Sequence, residues 1–91
     1  MSNMAWMRAA LAYLFDQGKE TELKNAVCDV AALKQLRAEL TAALDPVDRL
    51  SVPVGDRGDN LILGLIALRL KFSRPDAEQK LERNLMLRDH G

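Results

Sequence analysis

The 91-residue sequence predicts an all-α fold: a small bundle of about four helices with a helical hairpin at its C-terminus. Apolar residues recur three and four apart along most of the chain, which is the period of one helix face. Half of the glycine and proline, Pro46, Pro53, Gly55 and Gly58, falls in a single stretch, Asp45 to Asn60, which leaves the rest largely free to be helical. The one strand-like run, Leu61 to Leu68, has no second run to pair with. Hydrophobic residues at 48% and charged residues at 29% suit a folded chain and not a disordered one. The length suits one domain, organised as N-terminal helices (1–44), a linker (45–60) and a C-terminal helix pair (61–91).

Helix one is expected after Ser2 or Asn3, either of which can cap it, with Met4, Met7, Leu11 and Leu14 on one stripe. Trp6, Ala10 and Tyr13 form a second apolar stripe, and Gly18 is a natural stop that tolerates a left-handed backbone. Helix two begins near Lys19 to Thr21, and its apolar positions are Leu23, Ala26, Val30, Leu33, Leu40 and Leu44. Arg37 interrupts that series, with Leu36 beside it to take its place in the seam. Asp29 is suited to restart a helix as an N-cap, which allows a break near Cys28. Lys24, Lys34, Gln35 and Glu39 make the solvated face, and Pro46 ends the helix around Leu44.

Within the linker, Asp45-Pro46-Val47-Asp48 suits one helical turn with proline at its first position. Helix three is expected to start after Asp59 or Asn60 and to be buried, with Gly64 permitting close approach of another helix. Helix four starts at Ser73, where Ser73-Arg74-Pro75-Asp76 resembles a capping box. Ala77, Leu81 and Leu85 face inward, and fraying is expected after about Leu87.

Two helices with little polar surface are hard to bury in one four-helix monomer. This predicts a second subunit, a two-fold homodimer being the commonest closed solution. The apolar face around Met4, Trp6, Met7 and Tyr13 is the expected partner interface.

Function classes narrow by composition. Equal numbers of basic and acidic residues, 13 of each, argue against binding nucleic acid by charge alone. The single histidine, His90, leaves no ordinary zinc site or histidine-based triad within one chain. Cys28 has no partner for an internal disulfide and reads as a buried, inert thiol. No phosphate-binding loop or nucleophile elbow occurs, so no catalytic activity, cofactor, metal or small-molecule substrate is expected. Val54-Gly55-Asp56-Arg57-Gly58-Asp59 reads as a polar loop capping helix three, not as a backbone clamp for nucleic acid. The apolar start lacks a basic leader and contains Arg8, and no apolar run approaches the ~20 residues of a membrane span. A cytoplasmic protein without membrane contact is expected.

Residues 66 to 81 read Ile-Ala-Leu-Arg-Leu-Lys-Phe-Ser-Arg-Pro-Asp-Ala-Glu-Gln-Lys-Leu. This stretch resembles the helix-turn-helix unit of bacterial regulators, with an aliphatic residue and a small one (Ile66, Ala67) in the first helix. The resemblance implies that Phe72 plugs the turn, Ser73 caps a recognition helix, and Ala77 and Leu81 dock it. Arg74, Gln79, Lys80 and Arg83 would then face the DNA major groove. Lys71 stands where such turns usually carry glycine, and Asp76 and Glu78 place negative charge near that face. Residues 57–91 hold seven basic and five acidic residues, against six and eight in residues 1–56, so the basic bias lies in the same half. Two functions follow as expectations. One is a dimeric regulator binding DNA through residues 61–88; the other is a helical protein-interaction module that binds no nucleic acid.

Overall fold

The computed structural model describes the backbone of residues 3–90 and the side chains of residues 5–85. Its helices are α1 (Asn3–Asp16), α2 (Glu20–Cys28), α3 (Val30–Ala43), α4 (Pro46–Arg49), α5 (Gly55–Lys71) and α6 (Arg74–His90), and no strand occurs among the described residues. The all-α prediction holds, with about four helices replaced by five longer ones and the short turn α4.

The extra helix comes from Asp29. Its backbone is extended (φ −133°, ψ 119°), its N–H donates to the Asn25 carbonyl, and its carboxylate accepts from the Ala31 N–H at 3.0 Å. One residue thus closes α2 and caps α3. The break also resets the helical phase. Leu23 and Ala26 are the buried residues of α2, while Leu33, Leu36 and Leu40 are those of α3. Val30, expected in the seam, is exposed at the first position of α3. Cys28, expected to be buried, is exposed, since it lies two positions beyond Ala26 and so on the opposite face.

The polar linker is shorter than the sequence suggested, because α5 begins at Gly55 and not after Asp59. Gly55 turns the chain with φ +70°, where an L side chain would be strained. Gly58 is buried, and a Cβ there would overlap the Pro53 carbonyl oxygen and the Arg37 guanidinium. Both glycines look like helix breakers in the sequence, yet each lets this helix start where it does. Gly18 ends α1 as expected but without a left-handed backbone; its lack of a Cβ lets the chain pass close to the Leu14 carbonyl. At the other end of the chain, α6 runs on to His90, past the expected fraying point.

Helix α5 contacts α1, α2, α3 and α6, and α1 contacts α3, α4, α5 and α6. Each apolar helix therefore covers part of the other and finds further cover within the chain. Trp6, Leu11, Leu14, Leu23, Leu40, Ile62 and Ile66 form the fully buried centre. This corrects the interface expectation. Trp6 is 0% and Met7 6% exposed, so Trp6 presents no free surface and Met7 only a small one, and Tyr13 is half-buried against the core. The Met4 side chain lies outside the described residues. The premise for a second subunit, two helices lacking neighbours, disappears once six elements share the burial.

Arginines close several of these junctions. Arg49 of α4 donates from Nε to the carbonyls of Thr41 (3.0 Å) and Leu44 (2.8 Å), and from Nη2 to that of Ala42 (2.6 Å). It thereby satisfies the C-terminal carbonyls of α3 and sets positive charge against the negative end of that helix dipole. Arg69 of α5 donates to the Leu14 carbonyl of α1 (3.2 Å) and lies 5.2 Å from the Phe15 ring centroid. Among the described residues, the Trp6 indole N–H is buried without an acceptor.

Candidate interaction groove

The rotation of α5 decides which of its residues face outward. Arg37 of α3 donates from Nη1 to the Asp59 carboxylate at 2.7 Å and to the Gly55 carbonyl at 3.1 Å, and from Nη2 to the Pro53 carbonyl. Lys34 adds a looser contact with Asp59 at 3.8 Å. This anchor, with Gly58 pressed beneath it, turns Ile62, Leu65 and Ile66 into the core. Asn60, Leu61, Gly64 and Leu68 are left on the side toward α6.

Helix α6 is docked through Ala77, Leu81 and Leu85. The Ser73 hydroxyl donates to the Asp76 carboxylate at 2.9 Å across its first turn. Between α5, α6 and the Met7 side chain of α1 lies a groove of about 460 Å3. Leu65, Leu81 and Leu85 contribute its apolar floor, Leu61 and Leu68 its walls, and Asn60 and Asn84 a polar rim. An apolar cleft with a few convergent polar groups is the usual form of a binding site.

Gly64 is the unusual residue of this groove. It occupies the middle of a 17-residue helix and is exposed. A Cβ built on it would meet nothing within 4 Å beyond its own helix turn among the described residues. Glycine inside a helix costs about 0.5–1 kcal/mol relative to alanine. The close approach expected at Gly64 is thus not made by another helix among the described residues.

The four residues that the helix-turn-helix resemblance assigns to DNA have different surroundings. Arg74 pairs with Asp16 at 2.7 Å and with Glu78 at 3.2 Å, and the Glu78 hydrogen bond and Asp16 charge raise its pKa above the ordinary value. Lys80 is half-buried, its ammonium 4.6 Å from the Phe72 ring centroid. Gln79 and Arg83 are exposed, beside Glu78 and Glu82, the latter paired with Arg8 at 3.3 Å. The turn itself is only Phe72 and Ser73.

A shallow dish on α3 and α4, bordered by Lys34, Arg37 and Arg49, offers less. The guanidiniums of Arg37 and Arg49 are already engaged by the chain's own oxygens. Among the described residues, no group of three or more His, Cys, Asp or Glu side chains is placed to hold a metal ion. Nor is any helix among them long and apolar enough to cross a membrane.

No family model, curated protein or solved structure matches the chain.

Sequence reasoning singled out Gly64 but not the groove around it. The signal was a glycine inside an unbroken apolar run. Its meaning depends on α6 lying alongside, which the run does not encode.

Proposed function

We propose that this chain is a helical protein-interaction module that receives a partner helix in the groove between α5 and α6. The observation that carries this reading is Gly64: mid-helix, exposed, with open space where a Cβ would stand among the described residues, and set in an apolar cleft. A bound helix crossing at that point would approach the α5 backbone closely, as small residues at helix crossings allow. Helix-in-groove recognition works in this way, through apolar anchors spaced along one face of the guest.

A display library of amphipathic helices, panned on the folded chain, tests the proposal. Gly64→Phe fills the crossing point, starting from open space at its Cβ. Selected helices that bind wild type and lose at least tenfold in affinity for Gly64→Phe are the expected result. Enrichment of none, or equal binding to both chains, overturns it.

DNA binding through α5 and α6 is the second reading, supported by the exposure of Gln79 and Arg83 and by the inward docking of Ala77 and Leu81. It draws less support because Arg74 is held by two carboxylates. A salt titration against mixed duplex DNA tests it. Phosphate neutralisation makes affinity fall steeply with salt, and no binding at low salt sinks the reading.

A further inference from the structure

The stripe of α5 that borders the groove, followed a turn beyond it at each end, says what kind of helix fits. Arg57, Gly64 and Lys71 stand seven residues apart on α5, so they share one stripe of its surface. Asn60, Leu61 and Leu68 fill in that stripe between them. Arg57 and Lys71 are exposed, and neither forms an ion pair among the described residues. Lys19 and Arg83 are likewise exposed without an ion pair among the described residues, whereas Arg8, Lys24, Lys34, Arg37 and Arg74 each meet a carboxylate; only Arg57 and Lys71 share the stripe of Gly64. Asp56 is next to Arg57 in sequence but about 100° round the helix from it. Asp59 is turned away and bound by Arg37. The stripe therefore has an apolar centre and, at each end, a cation without an ion pair among the described residues, the two being about 21 Å apart along the axis.

A second copy of the chain matches this pattern poorly. Antiparallel pairing of two α5 helices about Gly64 sets Arg57 against Lys71 of the other copy. Parallel pairing sets each cation against its own counterpart. Like charges meet in both arrangements, which is unfavourable for association.

We infer that the groove takes an amphipathic helix from another protein, apolar along its middle, with an aspartate or glutamate at each end of that stretch, about 14 positions apart, to meet Arg57 and Lys71. This rests on the groove reading proposed above and adds the chemistry of the guest. Two exposed ion pairs contribute modestly to affinity, and more to the choice among apolar helices.

The same library, panned on wild type, tests the inference through the sequences it enriches. Acidic residues about 14 positions apart, flanking the apolar stretch, are expected. Changing both to lysine in a selected peptide should weaken binding by about tenfold at low salt. The doubly reversed chain, Arg57→Glu with Lys71→Glu, should prefer the lysine-ended peptide while keeping the wild-type helical circular dichroism. Enriched peptides that lack the acids, or that bind equally after the change to lysine, overturn the charge pairing and leave the groove standing. No enrichment overturns both. A wild-type dimer that Gly64→Phe renders monomeric in analytical ultracentrifugation identifies the occupant as a second copy and overturns the inference. So does duplex DNA binding that the double reversal abolishes while peptide binding is unchanged.

Discussion

Arg37 and Asp59, separated by 22 positions, meet at 2.7 Å with only 18% and 12% of their side chains exposed. This pair joins α3 to α5, and the same guanidinium holds the carbonyls of Pro53 and Gly55 where the connection enters α5. It sets the start of α5 and, through the rotation of that helix, the direction in which Gly64 faces.

Arg37→Met should therefore destabilise the chain by about 2–3 kcal/mol, since it leaves a largely buried carboxylate and two carbonyls without their donor. Urea unfolding followed by circular dichroism measures the loss. A change below about 0.5 kcal/mol, the usual range for surface substitutions, would show that the anchor is dispensable.

The same substitution at two glycines of α5 should have opposite signs. Gly64→Ala meets open space and gains helix propensity, so it should stabilise by about 0.5–1 kcal/mol. Gly58→Ala drives a Cβ into the Pro53 carbonyl and the Arg37 guanidinium, an overlap worth about 1–3 kcal/mol that exceeds the same propensity gain. Thermal melts of both variants give the comparison. Equal signs would remove the packing argument at Gly58 or the openness at Gly64.

Trp6 belongs to the core, and Trp6→Ala should cost about 3–5 kcal/mol. Arg8→Ala, two residues away in an exposed pair with Glu82, should cost less than about 1 kcal/mol. Chemical denaturation of the two variants separates a packing role for the apolar stripe of α1 from a surface role. A Trp6→Ala chain as stable as wild type would return that stripe to the list of partner surfaces.

Arg49→Ala should destabilise by about 1 kcal/mol, by withdrawing the cation and hydrogen bonds from the C-terminus of α3. Hydrogen exchange should locate the effect in the last turn of α3 and in α4. Uniform loosening of the chain would contradict a local capping role.

Much of this architecture is legible along the sequence, because its signals are local. Helical spacing marks α1, the Pro46 turn marks α4, and Ser73-Arg74-Pro75-Asp76 marks the start of α6. Asp29 already stands as a candidate cap, and Leu36 as the replacement for Arg37 in the seam. Each reflects interactions within about one or two turns, which a short window of residues contains.

What the sequence left undecided depends on pairs far apart in the chain. Gly55 and Gly58 read as linker until Arg37, about twenty residues earlier, supplies the charge and hydrogen bonds that draw Asp59 into a helix. Trp6 and Met7 read as a surface until α3, α5 and α6 are assembled around α1. Arg74 reads as a free cation until Asp16, 58 positions away, is brought to its side. A helix period states that a face is apolar; what covers that face, and which charges are neutralised beside it, is settled when distant elements pack. Gly64 shows both sides of this division, being marked by an unbroken apolar run and turned into a groove by α6.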